Sequence, residues 1–251
     1  MVARRRLDAE LVRRGLVSSR GEAHQAVAAK RVLVNGAVAE KPARLVATGD
    51  ALVLAGPPPR FVGRGGEKLD AALEHFTIDV RGRRVLDVGA STGGFTDALL
   101  SRGATEVVAL DVGHGQLHPR LRADSRVRVL ERTNIRTATV DAIGGLVDAA
   151  VVDVSFISLT VVIPVVVRLC QPGAPMVLLV KPQFEAGRAE AARGRGVITD
   201  PAVHDRVRGE IGAALEAAGC TVVGWMDSPI RGAEGNREFL VHATTGREAH
   251  A

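Results

Sequence analysis

The sequence predicts an α/β protein: a mostly parallel sheet with helices on both faces, preceded by a small α+β unit. Three observations predict it. From residue 66 to residue 243 short apolar runs alternate with stretches of helical period, the pattern of a parallel sheet with helical crossovers. Gly56-Pro57-Pro58-Pro59 interrupts the chain, and such a run stiffens the backbone and ends regular structure. The charge divides at the same place. Residues 1–60 hold eleven Lys/Arg against five Asp/Glu, a net +6, while the remainder holds 22 against 23, a net −1. A length of 251 residues accommodates one large and one small domain. They are placed at 1–58 and 65–251, with a linker over 59–64.

The front unit reads as helix, helix, hairpin. Leu7, Leu11 and Val12 share one helical face, and Gly15 stops that helix. Ser18 or Ser19 caps the next helix, with Glu22 three residues after Ser19 in the spacing of a capping box. Ala23, Ala26, Val27 and Ala28 point that helix toward a core, and it ends near Lys30-Arg31. Asn35-Gly36 joins Val32-Leu33-Val34 to Ala37-Val38 as a tight hairpin, because such a turn needs positive φ. Val46, Leu52, Val53 and Leu54 continue a short sheet. The basic excess offers Arg4, Arg6, Arg14, Arg20, Lys30, Arg31 and Lys41 for phosphate contacts. RNA or an anionic membrane accounts for such asymmetry; solvated helix charges are the competing reading of each residue taken alone.

In the second unit Gly66–Phe76 predicts a helix, as do Gly94–Arg102, Leu159–Cys170 and Pro201–Gly219. Strands are expected at Arg84–Val88, Glu106–Asp111, Val127–Leu130, Asp148–Asp153, Met176–Lys181, Thr221–Met226 and Glu238–Ala243. Pro164 should lie in the first turns of its helix or kink it. Residues 185–197 read as a mobile polar loop. Cys170 and Cys220 stand apart in apolar contexts and read as reduced, buried thiols, so no metal site is expected. The longest apolar run, Leu159–Val167, is interrupted by Pro164 and falls far short of a membrane span. The first residues are charged, unlike a signal peptide. A cytoplasmic protein with no membrane partner is expected. Tyrosine is absent and aromatics make up 3%, which argues against RNA binding by stacking bases on an aromatic sheet.

Val85-Leu86-Asp87-Val88-Gly89-Ala90-Ser91-Thr92-Gly93-Gly94 follows a strand and opens a helix. Open α/β sheets bind nucleotide-like ligands at such a turn, where glycines admit close backbone approach and the helix start offers free N–H groups. Gly89, Ala90, Ser91, Gly93 and Gly94 are therefore candidate cofactor contacts. Asp111, with its neighbour Val112, ends the next strand, where an acid can accept both ribose hydroxyls of an adenosine. Asn134 is placed to read an adenine, or is a solvated loop residue. The strict dinucleotide pattern is absent, since Ser91 stands where its second glycine would be, and no Walker lysine follows. These residues alone fit NAD and S-adenosylmethionine equally.

Four charged residues mark the ends of elements around that turn. Asp153 and Lys181 each close an apolar strand, Lys68 lies on the first helix after the linker, and Glu238 opens the last strand. A charge closing an apolar parallel strand points into the ligand crevice.

Five blocks, in order, carry a resemblance: Val62-Gly63-Arg64-Gly65-Gly66-Glu67-Lys68-Leu69, Asp87–Thr96, Asp153-Val154-Ser155-Phe156-Ile157-Ser158-Leu159, Lys181-Pro182-Gln183-Phe184-Glu185 and Gly235-Asn236-Arg237-Glu238-Phe239-Leu240. They resemble the TlyA family of ribosomal RNA 2′-O-methyltransferases, some of which are historically named haemolysins. The catalytic part of that family is similar to the FtsJ RNA methyltransferases. The front unit resembles the αL RNA-binding module of small-subunit ribosomal protein four and many pseudouridine synthases. The resemblance implies a Rossmann-like class I methyltransferase domain, S-adenosylmethionine rather than NAD, and ribosomal RNA or ribosomal subunits as partner. It implies methylation of a ribose 2′-oxygen, on cytidine, in small or large subunit RNA. Its Lys-Asp-Lys-Glu tetrad falls on Lys68, Asp153, Lys181 and Glu238. Lys181 is then the base or the cation that steadies the developing alkoxide, Asp153 orients it and the methyl group and so is also a cofactor contact, and Glu238 holds Lys68 or the ribose.

Rival readings remain. A non-catalytic rRNA-binding assembly factor would need none of the four charged residues. An NAD-dependent oxidoreductase leaves the basic unit and the quartet unexplained. A membrane-active haemolysin lacks an apolar segment. A pseudouridine synthase shares the front module but has no use for the glycine turn. A monomer is expected.

Overall fold

The structure is a computed structural model that describes residues 4–17, 19–57, 59–187, 190, 196–232 and 235–246. The chain divides into two compact units, Met1–Arg60 and Phe61–Ala251.

The first unit contains β1 (Arg4–Arg6), α1 (Leu7–Arg13), α2 (Arg20–Ala28), β2 (Val32–Val34), β3 (Ala37–Val38), β4 (Leu45–Ala47) and β5 (Leu52–Leu54). Ser19 accepts the Glu22 backbone N–H at 3.2 Å and so starts α2. At the hairpin Asn35 and Gly36 have φ of +51° and +82°, and the Asn35 side chain accepts the Ala51 N–H at 2.8 Å. β2 pairs antiparallel with both β3 and β5. Leu7, Leu11, Ala23, Val27, Val32, Val34 and Val46 form the core. β1 is an element that the sequence does not announce. Three consecutive arginines carry no apolar alternation, yet they pair antiparallel with β4, whose buried Val46 anchors the pair.

The second unit begins with α3 (Gly65–His75), β6 (Arg84–Val88), α4 (Gly94–Ser101), β7 (Glu106–Leu110), α5 (Pro119–Arg122), β8 (Val127–Leu130) and α6 (Val140–Ile143). It continues with β9 (Ala149–Val152), α7 (Leu159–Leu169), β10 (Pro175–Val180), α8 (Pro182–Glu185), α9 (Pro201–Ala217), β11 (Thr221–Asp227) and β12 (Phe239–Thr244). Its seven strands lie in the order β11-β12-β10-β9-β6-β7-β8. β12 runs antiparallel to both its neighbours, and the other strands share one direction. The central strands are buried on both faces. Leu86, Val88, Val108, Leu110, Ala150, Val152, Leu178 and Val180 pack on the face of α7 and α9, and Val85, Val107, Ala109, Val151, Val177 and Leu179 on the face of α3 and α4. The period of two sorts each strand between two cores, and each fully buried aliphatic side chain contributes about 1.5–3 kcal/mol.

Pro164 lies inside α7 on an exposed position. The carbonyl it leaves unbonded, four residues back at exposed Thr160, faces the solvent side of the helix. Phe61 is 3% exposed within the core of the second unit. The linker expected over 59–64 is corrected accordingly: from Phe61 onward the chain is committed to that core by aromatic burial. Of the expected polar loop 185–197, Glu185 closes α8, while 188–189 and 191–195 lie outside the described residues.

Candidate active site

The course of the chain across the sheet decides where a ligand sits. From β6 it goes to β7 and β8 on one side, then to β9 and β10 on the other. Ligands bind such sheets where neighbouring strands send their connections opposite ways, here the carboxyl ends of β6 and β9. Val88 pairs with Val152, so Gly89 and Asp153 leave the sheet together. Gly89 has φ +85°, and a Cβ there would lie 2.3 Å from the Asp153 carbonyl oxygen. Only glycine fits on both counts. Gly89→Ala is expected to lower stability in chemical denaturation clearly more than Gly115→Ala, because Gly115 has a similar φ of +67° with nothing within 4 Å of a Cβ. That control carries only the conformational cost of about 1–3 kcal/mol.

Asp111 follows β7. Its Oδ2 accepts the Ser91 N–H at 2.8 Å and its Oδ1 the Gly113 N–H at 2.6 Å. Both oxygens keep lone-pair capacity for hydroxyl donors. A cleft of about 580 Å³ opens here. Six of the candidate contacts line it: Gly89, Ser91, Asp111, Val112, Asn134 and Asp153. Ile135, Phe156 and Ile157 line it too, and the sequence reading does not single them out.

Ala90, Gly93 and Gly94, also expected as cofactor contacts, are not among the residues that line the cleft. Ala90 is buried. Gly93, at φ +98°, is pressed against Leu121 and Leu117, and Gly94 against the backbone of Gly63 and Gly66. The second half of the turn serves to dock α4, not to line the cleft.

Behind the turn Asp87 is fully buried, and the Thr96 hydroxyl donates to its Oδ2 at 2.6 Å. Burial pushes the Asp87 carboxyl up to about 7, and the Asp153 and Asp111 charges act in the same direction. A pKa raised above the unfolded value gives stability that is full below about pH 4 and is lost as pH rises through about 7. Asp87→Asn is therefore expected to flatten the fall in thermal midpoint between pH 5 and pH 8; an unchanged slope would show that another group causes it.

The four charged residues form two ion pairs. Lys181 Nζ lies 2.5 Å from Asp153 Oδ1 and donates to Ser155 Oγ at 3.0 Å. Lys68 Nζ lies 2.5 Å from Glu238 Oε2, with the side chains 10% and 3% exposed. Sheet register joins the pairs: Val180 is opposite Phe239, so one step further Lys181 is opposite Glu238. Helix α3 completes the group. A Cβ on Gly65 would lie 3.8 Å from Asp153 Oδ2, and Lys68 sits one turn along. Asp153 alone belongs both to the quartet and to the cleft lining.

The loop after Asp153 is tied to the segment after Lys181. Ser158 Oγ donates to Glu185 at 2.6 Å and the Leu159 N–H at 3.0 Å. Phe156, 91% exposed at φ +64°, packs its ring 4.9 Å from that of Phe184. Glu185 and Phe156 are functional-site neighbours that the sequence reading quotes only as parts of blocks. An acid four residues after Lys181 is the signal available for the first; a left-handed phenylalanine leaves none.

In the first unit Arg4, Arg6, Arg20, Lys30 and Lys41 are exposed. Arg14 is half-buried and donates to Glu10 at 2.8 Å and to the carbonyls of Asp50 and Thr48 at 2.7 and 2.8 Å. Its guanidinium fastens α1 to the turn after β4. Arg31 is half-buried and donates to the Ala55 carbonyl at 3.1 Å.

Residues 61–245 match the FtsJ-like methyltransferase family, and residues 5–52 match the S4 domain. The chain belongs to the FtsJ-like methyltransferase family. Among its relatives, a Mycobacterium tuberculosis protein named 16S/23S rRNA (cytidine-2′-O)-methyltransferase TlyA is 48% identical over 98% of this chain and 91% of its own length. A Brachyspira hyodysenteriae protein named Hemolysin A is 37% identical over 94% of this chain and 98% of its own. A solved structure from Streptococcus thermophilus, described as a hemolysin, matches with TM-score 0.77 at 40% identity, covering 98% of this chain and 90% of its own. An S-adenosylmethionine dependent methyltransferase from Mesorhizobium loti shares the fold at TM-score 0.51 and 18% identity, over 69% of this chain and 96% of its own. The FtsJ-like fold and its S4-type front unit are thus those expected from the sequence. Among the described residues no helix is long and apolar enough to cross a membrane.

Proposed function

We propose that this chain transfers the methyl group of S-adenosylmethionine to the 2′-hydroxyl of a cytidine in small- or large-subunit ribosomal RNA, acting in the cytoplasm as a monomer. One observation carries the reading: two lysine–carboxylate pairs stand in register at the sheet edge, and Asp153 joins them to a nucleoside-sized cleft.

The cleft's chemistry suits that cofactor. Asp111 and Asp153 line it with Arg136 as counter-charge, and Asp87 lies behind it, close enough to respond to both carboxylates. The FtsJ-like family relation favours S-adenosylmethionine over NAD in this cleft. Gly89 and Ser91 would let the backbone approach the cofactor, Asp111 would accept its ribose hydroxyls, and Asn134, whose Oδ1 accepts the Arg136 N–H, would meet the adenine through its remaining amide group. Bound S-adenosylmethionine supplies an already activated methyl group.

The protein's task is then alignment and charge. Lys181 either takes the 2′-hydroxyl proton as the oxygen attacks the methyl carbon and the carbon–sulfur bond breaks, or stands as an ammonium that steadies the developing alkoxide while the proton leaves to water. Asp153 and Ser155 hold its position. Lys68 and Glu238 wall the acceptor side. The first unit positions the RNA through phosphate contacts, which carry orientation but no sequence information.

The test is transfer of labelled methyl from S-adenosylmethionine to purified small and large subunits and to naked rRNA. Label on the ribose 2′-oxygen of a cytidine is the expected result. Measurable cofactor binding with no label on any of these substrates would instead favour the non-catalytic assembly factor.

A further inference from the structure

The first unit carries one carboxylate that is out of place in a basic domain. Asp8 is fully buried at the start of α1. Its Oδ1 accepts the Ala9 N–H at 2.8 Å. Arg6 grips it from β1 with two parallel bonds of 3.1 and 2.9 Å. From α2, Arg20 donates to it at 2.8 Å and His24 Nε2 lies 2.9 Å away. Arg20 and His24 are four residues apart and share a helical face. The Arg6 guanidinium above all, with the other partners, holds the Asp8 carboxyl well below the usual carboxylate range.

A structural ion pair needs one partner; Asp8 has three. Each keeps about half of its side chain in solvent, 47% for Arg6, 58% for Arg20 and 53% for His24. Two permanent positive charges and an imidazole surround one negative charge, so the cluster faces water with surplus positive charge. Bidentate pairing also fixes the fork of Arg6 before any ligand arrives, which removes ordering cost from binding.

Resting on the reading that this chain binds ribosomal RNA, we propose that Arg6, Arg20 and His24 form a single phosphate-binding cradle and that buried Asp8 is its positioning residue. The cradle receives backbone phosphate of RNA. His24 thereby joins the phosphate-binding residues, and an acidic residue promotes binding to a polyanion.

Simple electrostatics makes the opposite forecast for Asp8. Asp8→Asn removes a negative charge, and charge counting alone predicts tighter RNA binding. The cradle predicts the reverse. Binding of purified 16S and 23S rRNA to the full chain is measured from 50 to 300 mM KCl, with thermal melts alongside. For Asp8→Asn we expect roughly five- to tenfold weaker binding at 150 mM KCl, and a salt slope shallower by about one for each phosphate no longer neutralised. Equal or tighter binding by a folded Asp8→Asn chain overturns the proposal. If that variant fails to fold, Arg20→Gln/His24→Gln decides, since both side chains are half-exposed: weaker binding with a smaller slope supports the cradle, and unchanged binding overturns it. Wild-type protein that binds phosphatidylglycerol vesicles but not rRNA overturns it as well. In that case the labelled-methyl assay on intact subunits reports separately whether the methyltransferase reading stands.

Discussion

Lys181→Ala is expected to slow methyl transfer by about a thousandfold while S-adenosylmethionine binds within roughly threefold of its normal affinity. The two halves of this expectation have separate origins. Lys181 does not itself line the cleft, although its partners Asp153 and Ser155 do, so removing its side chain takes no direct contact from a cofactor bound there. Its ammonium is held at 2.5 Å from Asp153 and 3.0 Å from Ser155 Oγ, with the side chain 11% exposed. A positioned group that handles charge or a proton in the transition state is worth about 10²–10⁴ in rate. Asp153 keeps 22% of its side chain in solvent, and the space vacated by the Lys181 side chain admits water to its otherwise buried Oδ1. Single-turnover transfer and calorimetric titration on one preparation check both halves. A rate near normal would move the acceptor chemistry elsewhere. A tenfold rise in the cofactor dissociation constant with normal folding would make Lys181 a binding residue.

The positions of the four charged residues are legible in the sequence for a definite reason. Asp153 and Lys181 each follow an apolar strand, and apolar strands of a parallel sheet end at the ligand edge. Their partners are not legible. Whether Glu238 meets Lys68 or the ribose depends on β12 running antiparallel between β10 and β11, and an apolar pattern does not encode strand direction. The glycine turn shows the same division. Its presence is plain, but a sequence does not distinguish a glycine that lines the cleft, as Gly89 does, from one that abuts Leu121, as Gly93 does. In the first unit, counting basic residues finds the charge but not its use. Arg14 is four residues from Glu10, a spacing that signals an internal pair. Asp8 looks like one more helix-start acid until Arg6, Arg20 and His24 are seen to converge on it.

Lys68→Met is expected to destabilise the protein by about 3–5 kcal/mol, the range for breaking a buried ion pair by removing one partner. In a unit of this size that lowers the melting temperature by roughly 10 °C. Glu238 cannot escape the consequence. It is 3% exposed, and its Oε1 lies where a Cβ on Gly232 would be, 2.1 Å away, so neighbouring backbone blocks an outward swing. Adding Glu238→Gln to Lys68→Met removes the stranded charge, and most of the lost stability should return, because a buried pair as a whole contributes little net stability. Methyl transfer should not return with it. On that outcome the pair, which stands in register with Lys181, would act on the acceptor rather than on the fold. Melting curves and transfer rates on the single and double variants separate the two roles. Recovery of both stability and activity in the double variant would make the pair a structural tie between α3 and β12, and would leave the chemistry to Lys181 and Asp153 alone.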